Sequence, residues 1–256
     1  KKSIERMKKE LDFLVKKYDP NLIYFVVDTF LAMSNREFDE LKELYSDYKI
    51  PFWMNTRAET INEYRAAGLE EMNMLRMNIG IEHGNYEYRR NYLKRNVKNE
   101  VQIKAFEIAA EHNYASCANS IIGMPDETRD LIFDTINFVR KLPSNIDATG
   151  AFIFAPYHGT PLRTLAIEKG YIKEDEICSL SNTSASMLNM PTISKEEISG
   201  LAKVFSLYIK FPKDRWSDIK IAEKNDDKGK KMFEQLGKEF DQKYREYKAS
   251  SMDLHD

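Results

Sequence analysis

The sequence predicts an α/β protein: a partial (β/α)6 TIM-like barrel missing its first strand, with a helical carboxy-terminal extension. Three observations predict it. Short apolar runs end repeatedly in polar residues and are followed by amphipathic stretches, the alternation of strand and helix that builds a parallel sheet. The first three runs stop at Asp28, Asn55 and Glu82, so that 55 − 28 and 82 − 55 both equal 27. After residue 160 no run has strand character, and the pattern is helical. Five strands are counted, each after a helix, and one more strand ahead of the first helix gives six units. An open doubly wound sheet is the competing closure.

The chain opens in an amphipathic helix in which Ile4, Met7, Leu11, Leu14, Val15 and Tyr18 recur at helical spacing. Lys1 rather than Met stands first, and the chain reads as a piece of a longer protein. Asp19-Pro20-Asn21 turns it into the run 22–27, whose continuous apolar character predicts a strand covered on both faces, ending at Asp28-Thr29. Ser34, with Glu37 three residues on, predicts a capped helix to about residue 47. Residues 51–54 predict the second strand, ending at Asn55-Thr56-Arg57, and a helix over 60–67 is expected to stop at a left-handed Gly68.

The third strand is the run 75–81, ending at Glu82-His83. A polar, arginine-rich connection over 85–96 leads to a helix over 100–112, with Val101, Ile103, Phe106 and Ile108 to Ala110 toward the core. Residues 115–122 form the fourth strand, ending at Gly123-Met124-Pro125-Asp126-Glu127-Thr128, and a helix follows to residue 141. Residues 149–155 form the fifth, which stops at Pro156-Tyr157-His158-Gly159. Beyond it come a short helix over 164–169 closed by Gly170, a loop over 178–190, a helix over 194–209 and, after Phe211-Pro212, a charged helix over 216–248. The expected division is a core barrel over 1–175 and a helical extension over 176–256.

Hydrophobic residues make up 42% of the 256 and charged residues 31%, values usual for a soluble globular protein. A net charge of −2 gives no sign of a polyanion-binding surface, so nucleic acid is not indicated as a partner. No apolar run approaches the ~20 residues that span a bilayer, and the first helix is basic and amphipathic rather than a signal peptide, so a cytoplasmic location is expected. Cys117 and Cys178 are too far apart to form a metal-ligand pair motif and read as buried or incidental thiols, so no metal ligands are assigned in this chain.

Polar groups collected at the carboxyl ends of parallel strands form a site, because those ends open into loops while the strands are buried. The candidates are Asp28, Asn55, Arg57, Glu82, His83, Asn119, Gly123 and Pro156, with Tyr157 and His158 beside them. Carboxylate, guanidinium and amide groups together suit an amino acid's ammonium and carboxylate, or ribose hydroxyls. Gly123 lets a ligand approach the backbone. Each has a plainer reading. Asp28 would cap the next helix, Asn55 and Arg57 would fasten loops, and His83 would be a satisfied core histidine. Glu82 is read as functional because an unpaired carboxylate at the end of a buried strand is costly. His112 and His255 are read as surface residues. Gly-x-Ser-x-Gly and the Gly-x-x-x-x-Gly-Lys-Ser/Thr phosphate loop are absent, which argues against hydrolase and kinase chemistry.

The stretches Phe25-Val26-Val27-Asp28-Thr29-Phe30, Trp53-x-Asn55-x-Arg57, Gly80-Ile81-Glu82-His83-Gly84-Asn85, Ile121-Ile122-Gly123-Met124-Pro125-Asp126-Glu127-Thr128 and Phe154-Ala155-Pro156-Tyr157-His158-Gly159-Thr160-Pro161-Leu162, in this order, resemble the radical SAM superfamily. The similarity covers about residues 1–175 and is strongest to the branch that often carries an amino-terminal cobalamin-binding domain. The resemblance implies a barrel whose first strand carries Cys-x-x-x-Cys-x-x-Cys, binding a four-iron four-sulfur cluster. S-adenosylmethionine (SAM) ligates that cluster and is cleaved to methionine and a 5′-deoxyadenosyl radical. It further implies an electron donor such as flavodoxin or ferredoxin, a small-molecule or otherwise unknown substrate, and, in this branch, cobalamin through an upstream domain. By position Glu82, and with it Asn55 and Arg57, resemble the residues facing the methionine or ribose part of SAM. Residues 119–123 resemble the Gly-x-Ile-x-Gly strand beside the adenine, with Asn119 in place of the first glycine, and His83 stands where serine is frequent. This chain departs from the family in lacking the three-cysteine motif, so the cluster ligands are expected upstream of Lys1. A cluster-free scaffold that binds a ligand or partner, and a βα-barrel lyase with Glu82 as general base, are the alternatives.

Overall fold

The computed structural model describes residues 2–146, 150–178 and 185–244. In chain order the elements are α1 (Ile4–Tyr18), β1 (Ile23–Phe25), α2 (Asn35–Tyr45), β2 (Phe52–Arg57), α3 (Glu63–Glu71), β3 (Met74–Glu82), α4 (Tyr86–Tyr92), α5 (Asn99–Ala110), β4 (Ala115–Ile122), α6 (Arg129–Val139), β5 (Ala151–Ile153), α7 (Pro161–Glu168), α8 (Lys195–Lys210), α9 (Trp216–Ala222) and α10 (Asp227–Tyr244). The strands are ordered β1-β2-β3-β4-β5, and the β1–β2, β2–β3 and β4–β5 pairs are parallel. Strands in sequential order, each preceded by a helix, are the predicted α/β class. Two compact units are formed, one by 1–80 with 100–117, the other by 81–99 with 118–256.

The first three strands end at Phe25, Arg57 and Glu82, so the spacings are 57 − 25 = 32 and 82 − 57 = 25 rather than two equal steps. β1 is short because only Ile23 to Phe25 find partners on β2; Val26 is 78% exposed and Val27 is exposed too, so the run 22–27 is not a strand covered on both faces. β2 runs on through Asn55 to Arg57, whose register partners on β3 are Asn78 and Gly80. Alternation sends Met54, Thr56, Met77, Ile79 and Ile81 into the core, and leaves Trp53, Asn55, Arg76 and Asn78 half-buried on the opposite face. Phe25, Phe30, Tyr45 and Phe52 form an aromatic cluster between β1, β2 and α2, with ring centroids 5.1 to 6.0 Å apart.

Ser34 caps α2 in a full capping box with Glu37. Gly68 does not end a helix: it lies inside α3, where an added Cβ would sit 2.6 Å from the Phe38 ring, and Asn73 is the residue that turns left-handed after the helix. Close packing therefore explains that glycine. On α5 the core face is carried by Gln102, Ala105, Phe106, Ile108 and Ala109, whereas Val101 is exposed. His112 is not a surface residue. Its side chain is 14% exposed, its ring stacks on Tyr114, and its Nδ1 lies 2.7 Å from Glu70 Oε2, which holds the Glu70 carboxyl below its usual range with help from the Asn113 amide. His255 lies outside the described residues.

In the second unit the expected polar connection contains α4, a helix that buries Tyr88 and Arg89. Thr128, Thr160 and Ser194 cap α6, α7 and α8, and Gly170 closes α7 region with φ 70°, as expected. α8 packs on α6 and β5 through Ile198, Leu201, Val204 and Phe205. Arg140 donates to the carbonyls of Tyr208, Ile209 and Phe211, which satisfies the carboxyl end of α8. Arg129 pairs with Glu197 and Glu223 and so ties the start of α6 to α8 and α9. The charged stretch expected as one helix is two, because Asp226 accepts the Gly229 N–H at 2.7 Å and starts α10 afresh. Among the described residues no strand follows Ile153 and no helix is long and apolar enough to cross a membrane.

Candidate functional site

In the first unit, the candidates lie at the ends of β1 and β2. Asn55 is held by its neighbours: its Nδ2 donates to the Tyr24 hydroxyl at 2.9 Å, and its Oδ1 accepts from Asn78 Nδ2 at 3.0 Å. Its backbone carbonyl accepts the Phe30 N–H at 2.8 Å, which ties the chain after β1 to β2. Arg57 is half-exposed and pairs with Glu59 at 2.6 Å, close to the loop-fastening reading. Asp28 is exposed and does not cap α2, since Ser34 does. On the same sheet face Arg76 lies over the Trp53 ring and donates through Nε and Nη2 to Cys117 Sγ, at 3.1 and 2.7 Å.

In the second unit, the motif Glu82-His83-Gly84-Asn85 is joined to Glu127 in the loop before α6 and to Asp134 and Thr135 within that helix. Glu82 ends β3 in the left-handed region, φ 64°, which a non-glycine residue adopts only when its surroundings enforce it. The carboxylate is not unpaired, as the sequence suggested: Oε1 accepts from Arg95 Nη1 at 3.0 Å, with the Glu82 side chain 30% and the Arg95 side chain 9% exposed. The pair orients the partly exposed Glu82 side chain and compensates its charge.

His83 is fully buried. Its Nδ1 accepts the Asn85 N–H at 3.0 Å, which assigns the ring proton to Nε2, 2.9 Å from Glu127 Oε1. Glu127 is also fully buried, and its second oxygen accepts the Gly123 N–H and, at 3.1 Å, the Met124 N–H. A buried carboxylate is tolerable only with such a set of donors. The structure therefore joins His83 to Gly123 through Glu127, a residue the sequence reading quoted in a motif but gave no role. Its signal was weak, since a carboxylate in a loop ordinarily reads as solvated. His83 is placed as a strut rather than as a group open to a ligand.

Gly123 has φ 78°, and an added Cβ would lie 3.0 Å from Ile198 Cγ2. The requirement for glycine is met by the turn and by α8, without any ligand. Next to it Asp126, also left-handed, accepts from Tyr92, Tyr171 and Lys169; burial raises its carboxyl, but these three donors prevail and hold it below its usual range. Asn119 is half-buried on β4. Pro156 is buried, and its carbonyl accepts from the buried Arg163, which also donates to the Glu174 and Glu176 carbonyls. Tyr157 and His158 are exposed, and residues 179–184 of the expected polar loop lie outside the described residues.

A four-iron cluster needs three thiolates from the protein beyond the site left for another ligand. The chain has two cysteines, and among the described residues no group of three His, Cys, Asp or Glu could hold a metal ion. The residues present do not fit a cluster.

These features define a class, an α/β partial-barrel protein with polar residues at its strand ends. Residues 1–139 match the sequence model described as the Radical SAM superfamily, and the chain belongs to that superfamily. An uncharacterized methyltransferase of Pyrococcus horikoshii is 31% identical over 166 residues, 64% of this chain and 36% of that protein. Among solved structures, the cobalamin-dependent SAM radical enzyme OxsB with aqua-cobalamin bound is similar over 93% of this chain and 41% of its own, with 14% identity and a TM-score of 0.61. The radical SAM methyltransferase TsrM of Kitasatospora setae, with cobalamin and a [4Fe-4S] cluster bound, is similar over 66% of this chain and 34% of its own, with 15% identity and a TM-score of 0.53. These likenesses show the partial TIM-like barrel fold. The chain spans little more than a third of the length of the curated relative.

Proposed function

We propose that the protein carrying this chain is a radical SAM enzyme of the cobalamin-associated branch, a methyltransferase or an oxidoreductase acting on a small molecule. The observation that carries this reading is Glu82, a partly exposed side chain in left-handed backbone at the end of β3, in the motif that resembles the family's SAM-facing strand. In this family SAM and a [4Fe-4S] cluster together supply a 5′-deoxyadenosyl radical, and flavodoxin or ferredoxin is the proposed electron donor. On this reading residues 1–175 are the core barrel and 176–256 its helical extension.

The chain's own part is to bind and orient. On this proposal Glu82 offers acceptors to SAM hydroxyl or ammonium groups, and Asn119, Gly123 and Pro156 enter on the resemblance of their motifs. Asp28, Asn55 and Arg57 enter the proposal on the resemblance of their motifs, and His83 as the strut that fixes the strand end. The apolar surface of Val26 and Val27 beside β1 supports a further strand on that side, the one we propose to carry the cluster motif. The two-cysteine count favours, as a second reading, a cluster-free scaffold that binds the same ligand.

Glu82→Ala is expected to weaken SAM binding at least tenfold, since a hydrogen bond to a charged group contributes about 1.5–3 kcal/mol. Calorimetric titration of SAM into the intact, anaerobically purified gene product measures it. Wild-type affinity in the variant contradicts the role of Glu82, and no binding by either protein contradicts the SAM reading.

A further inference from the structure

We propose that Arg76, in the first half of β3, anchors the carboxylate of a small organic acid on the open face of the sheet. The binding of the acid stands on the first unit alone; that this acid is the substrate rests on the radical SAM reading above. A parallel sheet covered by helices on both sides carries apolar side chains on both faces. Here one face, that of Met54, Met77 and Ile79, is buried in this way, whereas the other carries aromatic, amide and guanidinium groups that are half-buried or exposed.

Strand register sets these groups in two rows. Tyr24, Trp53 and Arg76 are successive partners across β1, β2 and β3, and Asn55 and Asn78 are partners two residues further along, about 7 Å away. The second row is held by its own bonds, since Asn55 joins Tyr24 on one side and Asn78 on the other. In the first row the Tyr24 and Trp53 rings meet edge to face at 6.3 Å, and the Arg76 guanidinium lies 5.2 Å from the centre of the Trp53 ring. That ring and Cys117 Sγ, which accepts from Nε and Nη2, fix the guanidinium in place. Nη1 has no protein partner among the described residues.

A guanidinium is always charged, and its partial burial is costly unless an anion compensates it. Sulfur is a weak acceptor, and no carboxylate pairs with Arg76 among the described residues, whereas Arg57 on the neighbouring strand has Glu59. Arg76 is thus the charge on this face that lacks a counter-ion. One guanidinium matches one negative charge, which favours a carboxylate over a dianionic phosphate, and the Trp53 and Tyr24 rings beside it take an apolar body. Trp53 is the second residue of β2 and Arg76 the third of β3, so the site lies toward the strand starts, apart from the strand ends that carry the SAM candidates.

The test is calorimetric titration of benzoate and of benzamide, which has nearly the same shape without the charge, into the intact gene product in the absence of SAM. The wild type is expected to bind benzoate at least tenfold more tightly than benzamide, and R76M to lose that preference while keeping the melting temperature of the wild type. Equal affinity for the two probes in the wild type overturns the proposal, as do an absence of benzoate binding and a preference retained in folded R76M. If R76M does not fold, R76Q takes its place with the same two outcomes, and the comparison of probes on the wild type decides without any variant. A wild type that binds benzoate in this way but neither SAM nor iron keeps the acid site and removes the radical SAM reading, so the two failures are told apart.

Discussion

Gly84→Ala is expected to destabilise the protein by about 3 kcal/mol, near the upper end for overpacking a close-packed site. The alanine Cβ would lie 2.5 Å from Thr135 Cα, 2.7 Å from Phe138 Cβ and 2.8 Å from the Asp134 carbonyl oxygen, all of them on α6. Two of these atoms are backbone, so no side-chain rotation relieves the overlap and the helix itself must move. Moving it breaks the bond from the Gly84 N–H to Thr135 Oγ1, 2.9 Å, and that from Asn85 Nδ2 to Asp134, 2.8 Å. Urea denaturation measures the effect as a lower midpoint at an unchanged slope. Gly237→Ala in α10 is the control: nothing lies within 4 Å of its Cβ, so alanine should leave stability unchanged or raise it by up to about 1 kcal/mol. Equal effects at the two glycines would show that the packing on α6 is not what Gly84 serves.

Glu127→Ala is expected to cost about 4 kcal/mol, because three buried donors lose their acceptor together: the Gly123 and Met124 N–H groups and His83 Nε2. Glu127→Gln separates charge from shape. Its amide oxygen still accepts the two backbone N–H groups, but its NH2 then faces the His83 Nε2 proton. His83 cannot move that proton to Nδ1 without losing the bond from the Asn85 N–H. Glutamine is therefore expected to cost about 1–2 kcal/mol, less than alanine but not zero. Denaturation of the two variants gives the order, and the nitrogen chemical shifts of His83 report whether its tautomer has changed. A neutral effect of both substitutions would mean that Glu127 does not hold the loop after β4.

Much of the architecture was legible because it rests on local chemistry. Ser34 with Glu37 announces a helix start through a short hydroxyl side chain and a returning carboxylate, and the apolar run of β4 has the bounds expected of it; Thr160 caps α7 at Pro161, earlier than the start expected at 164. What was not legible rests on long-range partners. Nothing local says that Arg89 is buried, since its acceptors are carbonyls at residues 83 and 97, so α4 read as a solvated connection. Gly68 read as a helix end because its reason, the Phe38 ring, lies on another helix. Val101, expected toward the core, is exposed, and the polar Gln102 beside it is buried instead, while Phe106, Ile108 and Ala109 face the core as expected.

The candidate residues divide in the same way. Glu82 was found from its position at a strand end, but its partner Arg95 was not, because it lies thirteen positions further along, beyond a loop and a helix. His83 and Gly123 were found as separate candidates, and only the fold shows that Glu127 makes them one structure. The sequence pattern located the strand ends; the hydrogen bonds decide which of their residues brace the loops.

The central claim, that this chain belongs to a working radical SAM enzyme, is tested most directly by iron and labile sulfide analysis of the intact gene product, purified without oxygen, with and without SAM. The account predicts about four irons and four sulfides per chain, as for one [4Fe-4S] cluster, and a cluster spectrum that SAM alters. A folded protein that stays free of iron after reconstitution would contradict it and leave the cluster-free scaffold as the better description.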